Sequence, residues 1–356
     1  MAAPSTVLRP LVRTAGTAPS LFRTPAQRVA PRHTPLAFRS SSPVAASSPL
    51  SASQTRSSTY SAPAPGTQTR KKVTIQTLQG LHRKGEPIAM LTAYDFPSAH
   101  VADASGMDII LVGDSLGMVA LGLENTSEVL MDDMILHCRS VARAAKSSFI
   151  VGDMPMGSYE VCAEQAVESA IRIVKEGRVH AVKIEGGDEL APTIQRITQA
   201  GVPVVGHIGL TPQRSNALGG FRVQGKTTSS ALKLLHDATA MQEAGAFMIV
   251  LEAMPPEVAT LITKKLRVPT IGIGAGNGCS GQVLVQGDMT SNFQPGRFLP
   301  KFVKRYADVW GEAARGITQY RDEVKNRAFP SQEYTYPIPQ EELAQLEKTV
   351  DEIYQK

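Results

Sequence analysis

Along most of this chain, short and nearly continuous apolar runs alternate with longer segments in which apolar and polar residues are mixed. Short, nearly continuous apolar runs are typical of parallel strands that are covered on both faces. They predict eight strands, at 87–94, 108–115, 149–154, 181–185, 203–207, 247–252, 269–274 and 281–286. Amphipathic periodicity predicts helices at 74–84, 98–104, 128–146, 163–176, 189–200, 230–244 and 256–266.

The repeated strand–helix unit predicts an α/β fold, and the number of units selects the arrangement. Eight strands with intervening helices over residues 74–330 match a (β/α)8 TIM barrel, which takes about 250 residues. An open, doubly wound sheet is the alternative, but no GxGxxG pattern follows the strand at 87–94. We therefore expect a barrel domain at 71–330, and a C-terminal extension at 331–356 with a polar helix at 341–354.

Residues 1–70 have a composition unlike the rest of the chain. They contain eight Arg residues, no Lys and no acidic residue, and they are rich in Ser, Ala, Pro and Thr. Such a segment cannot bury enough apolar surface to form a core. An Arg-rich, Ser-rich and acid-free composition is typical of transit peptides, so we expect a disordered transit peptide and linker, and import into the mitochondrial matrix. A plain disordered tail is the alternative.

The formal net charge of +5 arises from this N-terminal segment. Without its eight Arg residues, the 37 Lys and Arg residues fall to 29 against 32 acidic residues, a net charge of −3. A mildly acidic domain gives no reason to expect nucleic acid as a partner. The sequence contains no apolar stretch of about 18 residues, so it predicts no membrane span. The three Cys residues, at 138, 162 and 279, are too far apart for a CxxC site and fit a reducing compartment.

Polar residues stand at the C-terminal ends of six consecutive predicted strands, where the active site of such a barrel lies. These residues are Tyr94 and Asp95, Asp114 and Ser115, Asp153, Lys183 and Glu185, His207, and Glu252. Lys183 and Glu185 are two positions apart, so they share one face of a buried strand. A structural ion pair would explain that strand alone. Six polar strand ends at one mouth predict an active site.

Three of these residues are carboxylates on neighbouring strands: Asp114, Asp153 and Glu185. Like charges at close quarters repel one another and raise one another's pKa values, and a hard divalent cation relieves this. Oxygen ligands with positions left for water and substrate suit Mg²⁺. Such an ion can chelate a 2-oxo acid through its carboxylate and keto oxygens and stabilise an enolate as a Lewis acid.

The other polar strand ends supply the remaining roles. Lys183 can hold the substrate carboxylate or the developing oxyanion, and Glu252, across the mouth, can be the base. Glu252 could also be a structural acid partnered by an Arg. His207 could hydrogen-bond the substrate or only satisfy the core, and Ser115 could donate to a substrate carboxylate or only end its strand.

Residues 220–227 (GFRVQGKT) match the phosphate-loop pattern GxxxxGK[ST] letter for letter. A true phosphate loop joins a buried strand to a helix. The preceding residues, 211–219 (TPQRSNALG), are polar and turn-like instead. We therefore interpret the match as a mobile loop after the fifth strand that covers the mouth, and not as an ATP site.

Long stretches of the chain resemble the ketopantoate hydroxymethyltransferase family. The resemblance covers roughly residues 72–335 and rests on TAYD (92–95), VGDSLGMV (112–119), VGDMP (151–155), VKIEGG (182–187), GHIGLTPQ (206–213), GGFRVQGKT (219–227), IVLEAMP (249–255), IGIGAG (271–276), GQVLVQGDM (281–289) and KFVKRYAD (301–308). It implies a (β/α)8 barrel of the phosphoenolpyruvate/pyruvate superfamily. It also implies hydroxymethyl transfer from 5,10-methylenetetrahydrofolate to 3-methyl-2-oxobutanoate, which forms ketopantoate (2-dehydropantoate) for pantothenate synthesis.

The resemblance also implies roles for individual residues. It assigns Asp114, Asp153 and Glu185 to a Mg²⁺ site and Glu252 to the proton acceptor. The substrate contacts that it implies are Asp114, Ser115, Asp153 and Lys183. The folate co-substrate rests on the resemblance alone, and so does a homo-oligomer, since bacterial relatives form decamers. Met156 replaces the usual Phe, and Ser280 replaces the Asp of the usual Cys-Asp-Gly.

Two other functions remain open from the sequence. A Mg²⁺-dependent carbon–carbon lyase of the same superfamily would share the metal chemistry and differ in needing no folate. A non-catalytic scaffold on the same barrel is the second alternative, although a scaffold has no need for charged residues gathered at one mouth.

Overall fold

The computed structural model describes residues 70–354, so the expected transit peptide lies, but for its last residue, outside the described residues. Eight parallel strands close into a barrel in sequence order. They are β1 Ile88–Thr92, β2 Ile109–Val112, β3 Phe149–Asp153, β4 Ala181–Glu185, β5 Val204–Gly209, β6 Met248–Glu252, β7 Thr270–Ile273 and β8 Gly281–Leu284. Because β8 pairs with β1, the predicted barrel is confirmed and the open sheet was the wrong alternative.

Helices occur before, between and after the strands. They are α1 Ile75–Lys84, α2 Phe96–Ala104, α3 Met131–Ala144, α4 Ala163–Gly177, α5 Ala191–Gln199, α6 Ser215–Leu218, α7 Thr228–Glu243, α8 Pro256–Lys265, α9 Gln286–Met289, α10 Val309–Lys325 and α11 Gln340–Tyr354. Single 3₁₀ turns occur at Thr126–Glu128, Asp188–Leu190, Pro212–Arg214 and Gln332–Tyr334, and a π-helical turn at Gly117–Leu121. The predicted C-terminal polar helix is confirmed as α11.

The alternation of side chains along β4 explains how charged residues come to lie inside the barrel. Ala181 packs in the interior cluster of the barrel, whereas Val182 and Ile184 pack against the surrounding helices. Side chains two positions apart share a face, so Lys183 and Glu185 point to the same side as Ala181. The strand is buried along its whole length. Two charged groups are therefore held at the C-terminal end of the barrel interior.

Three neighbouring strands repeat this pattern of an apolar interior residue followed by a polar one. The pairs are Val151 and Asp153 on β3, Val205 and His207 on β5, and Val250 and Glu252 on β6. Apolar side chains thus fill the lower part of the barrel and polar side chains line its C-terminal mouth. The first strand differs, because Asp95 caps the N-terminus of α2, where its Oδ1 accepts from the Ser98 amide at 2.8 Å.

Residues 219–227 connect α6 to α7 and are not preceded by a strand. The context of a phosphate loop is therefore absent from this part of the described chain. The Gln224 amide donates to the Ala253 carbonyl at 2.8 Å, which anchors the segment beside the end of β6. The position of the loop after β5 is confirmed, and its closure over the mouth stays a prediction.

The C-terminal helices differ from the helices of the barrel in their burial. Neither α10 nor α11 contains a buried residue.

In the described part of the chain, no helix has both the length and the apolar character that crossing a bilayer requires. All three cysteines are free, and Cys138 is buried whereas Cys162 is exposed.

Candidate active site

The mouth of the barrel brings together the charged residues that the sequence predicted. Asp114, Asp153, Lys183, Glu185 and His207 are all buried, each with no more than 4% of its surface exposed. Strand register sets their neighbours, because Asp153 pairs with Lys183 across β3 and β4, and Glu185 pairs with His207 across β4 and β5. Buried charges are rare unless they are partnered, so their partners decide what this cluster can do.

Lys183 lies at the centre of the cluster. Its Nζ is 3.2 Å from Asp153 Oδ1 and 3.3 Å from Glu185 Oε1. Burial lowers the pKa of Lys183, but the carboxylates of Asp153, Glu185 and Asp114 outweigh burial and raise the pKa above its usual value. The side chain is therefore a buried cation at neutral pH.

The carboxyl groups of Asp114 and Asp153 form the acidic part of the cluster. The Asp114 amide donates to Asp153 Oδ2 at 3.0 Å, so the two residues are held side by side. Burial, and then repulsion from Asp153 and Glu185, raises the pKa of Asp114 well above its usual value. Burial also raises the pKa of Asp153, although Lys183 opposes this. One lysine does not offset the charge of these carboxylates.

Glu185 differs from the two aspartates because cations hold it on two sides. Burial raises its pKa, but Lys183 and His207 lower it to about 2. Its Oε2 also accepts from the Gln213 backbone amide at 3.2 Å. Glu185 is therefore an ionised carboxylate whose position is fixed by three neighbours.

The donor set of the mouth fits a hard cation in its chemistry. Asp153 Oδ1 is buried and accepts no well-aligned hydrogen bond, although Lys183 Nζ lies within ion-pair distance. An under-satisfied carboxylate oxygen beside a second, protonation-prone carboxyl group is the arrangement that Mg²⁺ would stabilise. The assignment of Asp114, Asp153 and Glu185 as metal ligands stays a prediction.

A second acidic group lies outside the mouth. In the described chain, one carboxylate oxygen each from Asp188, Glu189 and Asp237 lies within 4.8 Å of the other two. The carboxylates of the predicted metal ligands at the mouth do not all lie this close together. Cations already neutralise this second group, since Lys233 Nζ is 2.9 Å from Asp237 and Arg214 pairs with Glu189. The second group is a partnered ion-pair network at the surface.

His207 connects Glu185 to Glu252 across the mouth. Its Nδ1 is 3.1 Å from Glu185 Oε1, and its Nε2 is 3.2 Å from Glu252 Oε2 as an ion pair without hydrogen-bond alignment. Burial and then Lys183 lower the pKa of His207, but the two glutamates overcome them and raise it to about 9. The imidazole is therefore a cation at neutral pH that positions both carboxylates.

Glu252 is the most accessible acid of this arrangement. Its side chain is 14% exposed, against 3% or less for His207 and Glu185. In the described chain its charged partner within 4 Å is His207 and not an Arg, so the structural explanation by an Arg partner was wrong. Ser115 follows Asp114 just before the π-helical turn, and its carbonyl accepts from the Met118 amide at 3.0 Å.

Gln213 and Tyr159 are two residues of the site that the sequence analysis missed. The Gln213 side-chain amide donates to Asp114 Oδ2 at 2.8 Å, while its backbone amide donates to Glu185. The Tyr159 hydroxyl donates to Gln213 Oε1 and is fully buried. Tyr159 lies in the loop after β3 and Gln213 in the 3₁₀ turn after β5, and neither carries a charge, so neither belongs to the polar strand ends of the sequence. The one signal for Gln213 in the sequence was its place at the end of GHIGLTPQ (206–213), a stretch that carries the family resemblance.

A model of the ketopantoate hydroxymethyltransferase family matches residues 72–332. The chain belongs to the ketopantoate hydroxymethyltransferase family. The 3-methyl-2-oxobutanoate hydroxymethyltransferase of Emericella nidulans is 74% identical over 284 residues, which are 80% of this chain and 81% of the relative. That of Oleidesulfovibrio alaskensis is 52% identical and covers 74% of this chain and 90% of its own length. The predicted family and its transferase class are confirmed.

A plant relative and a solved structure complete the comparison. The mitochondrial 3-methyl-2-oxobutanoate hydroxymethyltransferase 2 of Oryza sativa subsp. japonica is 51% identical over 74% of this chain and 67% of its own length. Phosphonopyruvate hydrolase, solved with oxalate and Mg²⁺, has a TM-score of 0.48 and 14% identity, covering 80% of this chain and 100% of the hydrolase. The transferase relatives do not favour the lyase alternative.

Proposed function

We propose that the protein transfers a hydroxymethyl group from 5,10-methylenetetrahydrofolate to 3-methyl-2-oxobutanoate, forming 2-dehydropantoate (ketopantoate) for pantothenate biosynthesis. Membership of the family supports this reaction. The observation that carries it is the buried Lys183, with acidic groups around it and a more accessible Glu252 across the same mouth. This arrangement supplies a cation for an anionic substrate and a separate base.

Asp114, Asp153 and Glu185 would hold a Mg²⁺ ion. When bound, the ion supplies Lewis acidity to the keto oxygen of the substrate and stabilises the enolate. The raised pKa of Asp114 supports this assignment, because a cation relieves the repulsion that, after burial, causes the shift. The under-satisfied Asp153 Oδ1 supports it independently.

Lys183 and Ser115 bind and orient the 2-oxo acid. The ammonium group of Lys183 holds the substrate carboxylate or the oxygen on which negative charge develops. Because Lys183 is buried, little water competes for this contact. The hydroxyl of Ser115, beside Asp114 at the end of β2, donates a hydrogen bond to the substrate carboxylate.

Glu252 removes the proton from C3 of 3-methyl-2-oxobutanoate. His207 contacts Oε2 of Glu252 and so fixes the orientation of the carboxylate. The carbon that loses the proton then forms a bond to the methylene carbon of the folate. Both C–N bonds of that methylene carbon break, water supplies the hydroxyl oxygen, and N5 and N10 of the departing tetrahydrofolate take up the protons released from C3 and from water.

The folate-dependent assay tests this proposal. Purified protein is incubated with 3-methyl-2-oxobutanoate and 5,10-methylenetetrahydrofolate, with Mg²⁺ or with a chelator, and ketopantoate is measured. We expect product only when the oxo acid, the folate and Mg²⁺ are all present. The absence of product under these conditions would favour a folate-independent lyase, and product that resists chelation would remove the metal assignment.

We further propose a homo-oligomer, imported into mitochondria and organised as a transit segment at 1–70, a catalytic barrel at 71–330 and an extension at 331–356. Exposed apolar residues on α10, among them Trp310, Ile317 and Tyr320, support an assembly, because such a face is costly to leave in water. The bacterial decamers of the family make a decamer the first state to test. A mitochondrial relative in rice and the Arg-rich N-terminal segment support the location.

A further inference from the structure

A cavity of about 440 Å³ lies beside the π-helical turn that follows β2 along the chain. One wall is formed by the π-helical turn, including Met118 and Val119, and the other by residues that include Phe293 and Arg297. The amides of Met118 and Val119 donate to the Ser115 carbonyl at 3.0 and 3.1 Å, so the turn is hydrogen-bonded to a proposed substrate residue. A ligand in this cavity would therefore contact the turn that Ser115 holds.

A basic segment crosses the C-terminal face of the barrel near this cavity. Residues 297–305 (RFLPKFVKR) contain four cationic residues and no acidic residue. Phe302 occupies the space where a side chain at Gly274, directly after β7, would lie. The Tyr306 amide donates to the Met289 carbonyl at 2.8 Å. These two contacts hold the segment over the ends of β7 and β8.

Two guanidinium groups of this segment converge on one aromatic ring. Arg297 Cζ lies 5.3 Å from the centroid of Phe293, and Arg305 Cζ lies 5.8 Å from the same point. In the described chain, Arg297 pairs with Asp288 at 3.4 Å, whereas Arg305 has no acidic group within 4 Å. The rim of the cavity therefore combines an aromatic surface with unneutralised positive charge.

An occupant that matches this rim has an aromatic ring followed by carboxylates. Arg binds carboxylates through paired hydrogen bonds and also stacks on aromatic faces. The 2-oxo acid has a carboxylate but no ring, and its proposed place is at Lys183. A reduced folate has an aminobenzoyl ring between its reactive methylene carbon and a tail of one or more glutamates.

We propose that this cavity binds the aminobenzoyl-glutamate part of the folate co-substrate. The aminobenzoyl ring lies in the cavity between the π-helical turn and Phe293, and the glutamate carboxylates pair with the guanidinium groups of Arg305 and Arg297. Additional glutamates continue along Lys301 and Lys304 of the same segment. This places the methylene carbon toward Ser115 and the 2-oxo acid. The inference rests on the proposed function, because it assigns a position to the co-substrate of that reaction.

The number of glutamates on the folate provides the test. KM is measured for 5,10-methylenetetrahydrofolate with five glutamates, with one, and for the pteroate form that has none. The exposed Arg305 is changed in Arg305→Gln, and Arg315→Gln, on the exposed surface of α10, is the matched control. We expect KM to rise as glutamates are removed, and Arg305→Gln to raise KM for the pentaglutamate about tenfold, the effect of one charge-assisted contact.

The outcomes separate this inference from the proposed function. Equal KM values for the three folates, or equal effects of Arg305→Gln and Arg315→Gln, would overturn the cavity assignment while ketopantoate formation upheld the reaction. No product from the wild-type protein with any of the folates would overturn both. A rise in KM for the pentaglutamate that is confined to Arg305→Gln and shrinks at high salt supports the site.

Discussion

His207 Nε2 lies 3.2 Å from Glu252 Oε2, and the other ring nitrogen of the same imidazole lies 3.1 Å from Glu185 Oε1. A proposed base and a proposed metal ligand are thus joined by one buried cation. Without either glutamate, the buried positive charge of the imidazolium would have one negative partner fewer. Without the imidazole, the two carboxylates would have no cation between them and would repel each other. The protonation state of His207 should therefore affect both stability and catalysis.

The pH dependence of stability follows from the raised pKa of His207. Burial and Lys183 oppose protonation, but Glu185 and Glu252 raise the pKa from 6.5 to about 9. A raised pKa in the folded state stabilises the fold fully below about pH 6.5, and this stabilisation is lost as the pH rises through about 9. We expect His207 to contribute on the order of 3 kcal/mol to the free energy of unfolding across this window.

Urea unfolding of the metal-free protein at pH 6.5, 8 and 9.5 measures this contribution. The stability of wild-type protein should fall over this range more steeply than that of His207→Gln. The control is His236→Gln, because His236 is largely exposed and pairs with Asp188 at the surface. Parallel pH profiles for wild type and His207→Gln would show that this linkage is absent.

The two acidic groups of the molecule provide a matched test of the metal site. Asp153→Asn removes one carboxylate at the mouth, and Asp188→Asn removes one from the surface network. We expect Asp153→Asn to weaken Mg²⁺ binding at least a hundredfold, measured by titration calorimetry, because hard cations need charged oxygen ligands. The Asp188→Asn variant should bind as the wild type does. Equal losses in the two variants would contradict the assignment.

Gln213 should act as a positioning residue for the acids of the mouth. Its side chain donates to Asp114 and its backbone amide to Glu185, so one residue connects two proposed ligands. We expect Gln213→Leu to lower Mg²⁺ affinity and kcat by 10- to 100-fold, the usual range for partners of metal ligands. Gln319→Leu on exposed α10 is the control.

A purely structural role for Gln213 would give a different result. Loss of a buried hydrogen-bonding group costs about 1–3 kcal/mol of stability, and a structural role would show this loss with Mg²⁺ affinity unchanged. Calorimetric titration of folded Gln213→Leu therefore distinguishes positioning from packing.

The sequence predicted those parts of the site that follow from strand periodicity. Lys183 and Glu185 are two positions apart on a buried strand, so they were predicted to share one face of it. Asp114 and Asp153 follow the two preceding strands, so they were predicted to lie beside that face, and the strand pairing agrees. These positions depend on backbone geometry alone, which is why they could be predicted.

The hydrogen-bond partners within the site could not be predicted in the same way. The contact of His207 with Glu252 depends on ring orientation, and the contact of Gln213 with Asp114 joins residues 99 positions apart. Loop conformation after β5 decides the second contact, and strand periodicity carries no information on it. The role of Asp95 as a helix cap was equally a matter of local turn geometry.

Glu252 is proposed to remove the C3 proton of 3-methyl-2-oxobutanoate in a Mg²⁺-dependent step. Deuterium exchange at C3, followed by NMR without folate, measures this step directly. In the presence of Mg²⁺, wild-type protein should exchange the C3 proton for solvent deuterium, and the exchange should stop when a chelator is added. The exchange by Glu252→Gln should be slower by about 10²- to 10⁴-fold, the usual range for a general base. Glu257→Gln, on the first turn of α8, should exchange as the wild type does. Exchange by Glu252→Gln at the wild-type rate would contradict the role of Glu252 as the base.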